Sequence, residues 1–148
     1  NDYHMDGAIW AINYVDTKKQ LPTQLRETIQ QEGSHIFTAE MLDRSVKDLS
    51  ELMQLKKEAY ALFFEPPSID DRIVNQYAVF SMMSDPSAII SDWVKEKEIR
   101  SFKIEIPAEL KWEVRDKLDQ SNINERVLFP GLDGLATWLK RHYWDITR

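Results

Sequence analysis

Short runs of apolar residues alternate with polar segments along the chain and predict strands and helices in mixed order. The strand-like runs are rich in β-branched and aromatic residues and number about four, namely 7–15, 59–64, 79–83 and 99–106. The run 7–15 is nearly all apolar, so we expect a strand that is covered on both faces. The run 99–106 alternates apolar and polar positions, which predicts one buried face and one solvent-facing side.

Apolar residues spaced three and four positions apart predict five or six helices among these strands. Pro22 and Gly33 bound the first helix, and Ser45, Ser68 and Asp85 are the expected N-caps of later ones. The residues expected to face the core are Val46, Leu49 and Met53 in a helix over 45–57, Ile89, Trp93 and Val94 in the helix after Asp85, Leu110, Val114 and Leu118 in the helix after Pro107, and Leu132, Leu135 and Leu139 in the last helix. This irregular order favours the α+β class, with a mixed sheet of about four strands packed with the helices.

Composition and charge narrow the class of function. The 148 residues fit one domain of ordinary size and carry a formal net charge of −6. The basic residues are scattered, so the sequence gives no strong signal for nucleic-acid binding. The absence of cysteine excludes a thiol nucleophile and cysteine-based metal sites, and it is typical of a cytoplasmic protein. No apolar run approaches the length of about 20 residues that spans a membrane.

Sequence signatures of catalysis or of cofactor binding are not found. The three histidines, His4, His35 and His142, have no partner at the spacing of metal ligands. Neither a glycine-rich nucleotide-binding loop nor a nucleophile elbow occurs. Asp70 and Asp71 lie where a helix begins, and capping explains both carboxylates. The residues themselves therefore imply neither a metal nor an organic cofactor.

One polar pattern lies at the predicted junction of a short helix and a strand. Arg72 and Gln76 are four residues apart, so they share one helical face, next to the apolar face that Ile69 and Ile73 define. Both side chains carry directional hydrogen-bonding groups, which makes them candidate functional residues. The alternative is structural: Arg72 would anchor a loop, and Gln76 would bind the backbone of the strand.

A second pattern, 124–136, contains Arg126, Asp133 and two glycines ahead of the last predicted helix. We expect Gly131 to adopt a backbone angle that other residues avoid. Asp133 is expected in the first helical turn, where a carboxylate stabilises the helix dipole. A purely structural role is the simpler hypothesis for this segment as well.

Together these patterns resemble the FRG domain, a bacterial and phage family named after a Phe-Arg-Gly motif. The segment 6–13 is similar to the mid-domain strand of that family. The residues from Arg72 to Phe80 resemble its Arg-x-x-x-Gln-x-x-x-Phe block, and 126–135 resembles its Leu-Phe-Pro-x-Leu-Asp-Gly-Leu block. The candidate functional residues are accordingly Arg72, Gln76, Phe80, Arg126 and Asp133.

The resemblance implies that residues 1–148 are the C-terminal portion of an FRG-like domain, with the Phe-Arg-Gly segment upstream. We expect such an incomplete domain to expose an apolar groove that its missing N-terminal part covers. The chain departs from the family at Ala78, where a glycine is usual. The biochemical role of the family is undefined, and its contexts suggest conflict between bacteria and phages.

Two hypotheses about activity are open, one from the resemblance and one from the tryptophans. The first is an enzyme similar to ADP-ribosyltransferases, which would use NAD at a site shared with the missing part. Gln76 would hold the late catalytic position and Arg72 would support it or contact a phosphate, although a glutamine cannot act as a general base. The second is a non-catalytic module that binds a protein partner through exposed tryptophans. Five tryptophans are more than the core can take, and Trp112 lies off the apolar stripe of its helix.

Overall fold

The structure, a computed structural model, describes residues 3–144 and has the α+β fold that the sequence predicts. The strands in the described part of the chain are β1 (Gly7–Ile12), β2 (Phe37–Thr38), β3 (Ala61–Glu65), β4 (Phe80–Met83) and β5 (Ser101–Ile106). The α-helices of the same residues are α1 (Tyr14–Thr17), α2 (Thr23–Gln31), α3 (Ala39–Ser45), α4 (Leu49–Gln54), α5 (Asp71–Asn75), α6 (Ile90–Glu96), α7 (Lys111–Gln120), α8 (Glu125–Leu128) and α9 (Leu132–Trp144). Within these residues, none of the helices combines the length and apolar character needed to cross a bilayer.

The strands pair in two sheets, so the prediction of one sheet of about four strands was wrong. β3 is the central strand of a three-stranded sheet, parallel to β2 and antiparallel to β4. β1 pairs with β5 in a two-stranded ribbon. The sequence does not reveal β2 because a strand of two residues is too short to show an alternating pattern.

The chain divides into two compact units. We call Trp10–Pro67 with Val79–Lys103 the central unit, and Asn1–Ile9 with Ser68–Ala78 and Ile104–Arg148 the C-terminal unit. The central unit contains the three-stranded sheet and helices α1 to α4 and α6, whereas α5 and α7 to α9 belong to the C-terminal unit.

The two faces of β3 pack against different apolar clusters of the central unit. Leu62 belongs to one cluster, in which Leu25 and Phe37 are also fully buried. Its neighbour Ala61 belongs to the other cluster, with Trp93. Successive side chains of a strand point to opposite faces, and burying one large apolar side chain contributes about 1.5–3 kcal/mol. β3 therefore joins the two halves of this core.

Polar groups within this core are hydrogen-bonded to the backbone. The hydroxyl of Tyr60 donates to the carbonyl oxygen of Leu52 at 2.5 Å, and burial raises the pKa of Tyr60 to about 12. The indole Nε1 of Trp93 donates to the carbonyl oxygen of Ala59 at 2.9 Å. Among the described residues, every buried side-chain nitrogen or oxygen has a partner. The core thus avoids the cost of unsatisfied polar groups.

In the C-terminal unit, α8 and α9 pack closely because Gly134 has no side chain. A Cβ atom at this position would overlap the backbone oxygen of Phe129 and lie 2.7 Å from that of Glu125. The chain turns between the two helices at Gly131, whose φ of 107° lies in the region that favours glycine. The prediction for Gly131 is confirmed.

The burial predicted for β1 and β5 was wrong. Ile9 and Trp10 on β1 are 50% and 69% exposed. On β5, Phe102 is 62% exposed and Ile104 is 47% exposed. A ribbon of two strands has no further strand beside it and buries little of either face, whatever its sequence pattern.

The helix predicted over 45–57 is interrupted, and residues around Val46 separate α3 from α4. Ser45 is not an N-cap but the last residue of α3, where its hydroxyl donates to the carbonyl oxygen of Met41 at 2.7 Å. Asp48 caps α4, because its carboxylate accepts from the amide nitrogen of Glu51 at 2.8 Å. The later start rotates the inward face of the helix to Leu52.

Two further helices also begin later than predicted. Asp70 rather than Ser68 caps α5, by accepting from the amide nitrogen of Arg72 at 2.7 Å. Asp85 accepts from both the amide and the hydroxyl of Ser87, so it closes a turn, and α6 begins at Ile90. An aspartate followed by such donors can cap either a turn or a helix. Gly33 follows the end of α2, as predicted, and its φ of 62° lies in the left-handed region.

Several residues predicted to face the core are exposed by more than a third. Trp93 and Val94 are buried as predicted. The predictions that were wrong concern Leu49, Met53, Ile89, Leu110, Val114, Leu118, Leu132 and Leu139. A helical period identifies an apolar face, but the packing of that face depends on which elements reach it.

Candidate functional site

Both polar patterns of the sequence lie in the C-terminal unit, where α5 contacts the end of α8. The amide Nε2 of Gln76 donates to the carbonyl oxygen of Leu128 at 2.8 Å. The guanidinium of Arg72 lies over the ring of Phe129, with its carbon 4.8 Å from the ring centroid. The two sequence patterns thus meet, although the hydrogen-bond partners Gln76 and Leu128 are 52 residues apart in the sequence.

Asn75 strengthens this contact and was not singled out by sequence reasoning. Its side-chain Nδ2 donates to the carbonyl oxygen of Val127 at 2.8 Å. Together with Arg72 and Gln76, it holds the segment 127–129. Asparagine is common in turns and caps, so its position at the end of a short helix gives no signal of such a long-range bond.

The segment that α5 holds forms one wall of an open cavity of about 350 Å³. Leu128 and Phe129 line the cavity from this segment, and α7 supplies Val114 and Leu118. The candidate residues of α5 are not among the described residues that line it. Their contacts instead hold the backbone and the ring of this wall.

The lining of the cavity also includes four charged side chains that form one network. Arg141 donates to Asp119 at 2.8 Å and to Glu125 at 2.7 Å. Arg115 also donates to Glu125. All four side chains line the cavity and are between 13% and 21% exposed. Ion pairs at this depth are much less screened by salt than surface pairs.

The network keeps both carboxylates ionised at neutral pH. Burial alone would raise the pKa of Glu125, but the hydrogen bonds from Arg141 and the charges of both arginines outweigh burial and lower this pKa to about 2. The hydrogen bonds from Arg141 likewise lower the pKa of Asp119. Those same bonds raise the pKa of Arg141. Since general acid–base catalysis needs a pKa near the working pH, this arrangement suits binding rather than proton transfer.

An aromatic stack borders the cavity. The rings of Tyr3 and Trp112 are parallel within 12°, with centroids 4.2 Å apart. The guanidinium of Arg115 lies 5.3 Å from the Tyr3 ring and 5.8 Å from the Trp112 ring. Trp112 is 42% exposed, as expected for a residue off the apolar stripe.

A second cavity, of about 510 Å³, shares part of this lining. Tyr3, Arg115, Glu125 and Phe129 line both cavities. Asp133 lines the second cavity. Among the five predicted candidate residues, Asp133 alone is in the described lining of these two cavities. Its position in the first turn of α9 is as predicted.

The remaining candidates lie elsewhere. The guanidinium of Arg126 covers the ring of Trp138, 4.9 Å from its centroid. Phe80 belongs to β4 of the central unit, where its ring meets the edge of the Phe64 ring at a centroid distance of 5.8 Å. Neither residue is among the described lining of the two cavities.

Sequence reasoning missed the charged network. Arg115 and Asp119 are four residues apart on α7, which was the one available local signal. The same helix carries a second pair at this spacing, in which Lys117 donates to Glu113 at 2.6 Å. The sequence shows Arg141 only as one of its scattered basic residues, and its partners lie 16 and 22 residues away.

The described residues contain no group of three or more histidine, cysteine, aspartate or glutamate side chains placed to hold a metal. The NAD hypothesis rests on Gln76 at a catalytic position. None of the contacts described above tests that role, so it stays a prediction.

Comparison with protein families and with individual proteins adds no relative. No family model matches the chain, no curated protein matches it, and no solved structure matches it.

Proposed function

We propose that the chain is a binding module similar to the FRG domain, and that the cavity of the C-terminal unit receives an apolar side chain of a protein partner. The observation that supports this most is the combination of an apolar wall with a network in which Arg141 pairs with both Asp119 and Glu125. Concave, largely apolar pockets with a few fixed polar groups are typical binding sites.

The surroundings of the cavity favour an apolar anchor. The network joins two arginines to two carboxylates, so the charges within it balance, and Lys111 adds one further cation to the lining. Tyr3 and Trp112 offer a rigid aromatic surface at its border. Aromatic and arginine side chains are enriched among the residues that dominate protein–protein binding energies.

The FRG part of the proposal is supported by the ordered sequence blocks and by the contact between two of them, through Gln76 and Leu128. With the resemblance comes the proposed setting, a role in conflict between bacteria and phages. The module would act there by recognition rather than by chemistry.

A titration with side-chain mimics tests the cavity. N-acetyltryptophanamide and N-acetylleucinamide are added to the ¹⁵N-labelled chain, and amide shifts are followed by NMR. We expect saturable shifts in α7 and in 123–129. Val114→Glu puts a charge into the cavity and should abolish them, because a bound apolar group would bury that charge without a partner. Val74→Glu is the matched control, since Val74 is on α5, is 49% exposed and is not among the described lining.

Three results would count against the proposal. The first is the absence of saturable shifts with either mimic. The second is equal binding by Val114→Glu and Val74→Glu. The third is consumption of NAD by the full chain that Gln76→Ala abolishes, which would favour the ADP-ribosyltransferase hypothesis instead.

A further inference from the structure

A different cavity, in the central unit, collects positive charge. It measures about 400 Å³, and Lys18, Lys19, Arg26 and His35 line it. Its described lining contains no aspartate or glutamate. The whole chain has a formal net charge of −6, so this concentration of cations is not a consequence of composition.

Lys18 is held by two neutral groups. Its Nζ donates to the carbonyl oxygen of Ser34 at 2.8 Å and lies 2.6 Å from Nδ1 of His35. Since an ammonium group can only donate, Nδ1 must accept and the imidazole proton lies on Nε2. Burial lowers the pKa of Lys18. These contacts orient the ammonium without neutralising its charge, and they leave the Nε2 proton of His35 as a further donor.

Of the other two cations, Lys19 is partly neutralised and Arg26 has an uncharged partner. Lys19 lies 3.2 Å from a carboxylate oxygen of Asp16, but Arg100 also donates to that carboxylate, at 2.5 Å. One negative charge is thus shared by two cations. The guanidinium of Arg26 lies 3.4 Å from the hydroxyl of Thr23, which carries no charge. Like charges that share a concave surface repel one another, and a bound anion relieves that repulsion.

A structural role accounts for only part of this cluster. Lys18 lies near the end of α2, where a cation stabilises the negative end of the helix dipole. That role does not explain why Lys19 and Arg26 line the same cavity.

We infer that this cavity binds a small phosphate-bearing ligand. The two lysines supply compact charged donors, and the fork of Arg26 matches two oxygens of a phosphate. His35 adds the donor on Nε2. The cavity is larger than a phosphate group alone, which leaves room for a small organic group attached to it. This inference does not depend on the proposed function of the C-terminal unit.

Calorimetric titration of the full chain with pyrophosphate and with inorganic phosphate tests the site at two salt concentrations. We expect saturable binding of one pyrophosphate per chain. The double variant Lys19→Gln with Arg26→Gln should bind about tenfold more weakly or worse, because each hydrogen bond to a charged group carries roughly that factor. Both side chains are exposed, so folding should be retained, and circular dichroism melting checks this.

The matched control is Lys47→Gln with Lys57→Gln, which removes the same charge from exposed positions outside the described lining. Its affinity for pyrophosphate should equal that of the unmodified chain. Equal losses in both double variants would show general charge attraction and overturn the site. Absence of saturable binding would do the same, as would tighter binding of a single-stranded oligonucleotide through the same residues.

Discussion

Glu125 shows how single contacts set the chemistry of the C-terminal unit. It accepts hydrogen bonds from Arg115 and Arg141 while its side chain is 19% exposed. Without these partners, burial would favour the protonated form. The arginines reverse this preference and lower the pKa to about 2, so the carboxylate stabilises the folded state as long as it is charged.

We expect Glu125→Gln to lower the free energy of unfolding at pH 7 by about 3 kcal/mol. A folded-state pKa near 2, below the ordinary value of 4.5, gives stability that is fully present above pH 4.5 and is lost as pH falls towards 2. The variant should therefore show a flatter fall in stability over that range, as measured by urea unfolding at several pH values.

Glu113→Gln is the control for this pH dependence. Glu113 pairs with Lys117, but its side chain is 60% exposed, so solvent screens the pair and its contribution to stability is small. If the free energy of unfolding of Glu125→Gln and of the unmodified chain changed identically with pH, Glu125 would not be the group that causes the loss of stability.

The sequence predicts the local features of the candidate site and not its long-range ones. Gly131 could be predicted because a turn demands its backbone angle. The first-turn position of Asp133 has a similar local cause. Arg141 could not be predicted, since its partners Glu125 and Asp119 are 16 and 22 residues away. Nothing in a local pattern shows which distant groups a folded chain brings together.

Among the elements, α5 and α8 are too short to be stable alone. They have five and four residues, whereas isolated helices shorter than about 12 residues are marginal in water. Each is capped by a polar side chain, Asp70 and Asn124, and they are tied to each other by Gln76. Tertiary contacts therefore maintain this part of the site.

We expect Gly134→Ala to destabilise the protein by about 3 kcal/mol or more, because the added Cβ would force α9 away from the end of α8. Gly33→Ala is the matched control. Its φ of 62° also disfavours alanine, but no atom lies within 4 Å of the added Cβ, so the cost should be about 1–2 kcal/mol. Thermal and urea unfolding measure both. Equal effects would show that α8 and α9 can move apart freely.

The elements that the sequence predicts well are those with strong local signals. The buried strand β3 and the inner residues Trp93 and Val94 of α6 are of this kind. The break between α3 and α4 was missed because Ser45 and Asp48 are both acceptable caps, and tertiary packing of Leu52 selects the second.

Over the whole molecule, burial is uneven. The fully buried hydrophobic residues that the structure describes all belong to the central unit, in the two clusters on either side of β3. In the C-terminal unit, apolar residues of α7 such as Val114 and Leu118 are 37% and 41% exposed. Regions with few buried apolar contacts open at lower cost than the core.

Hydrogen–deuterium exchange should reveal this difference. We expect amides of β3 and α2 to exchange most slowly, because their side chains include Leu62 and Leu25, which are 1% and 0% exposed. Amides of α7 should exchange markedly faster, as followed by mass spectrometry of peptic peptides. Slower exchange in α7 than in β3 would contradict this distribution of stability.

The depth of Trp93 makes it an intrinsic optical reporter. Its indole is 4% exposed and donates to Ala59, whereas Trp10 and Trp112 are 69% and 42% exposed. A water-soluble quencher such as acrylamide reaches the exposed indoles first, so Trp93 contributes to the emission that survives quenching. Loss of that protected emission during unfolding follows the opening of the core without any added label.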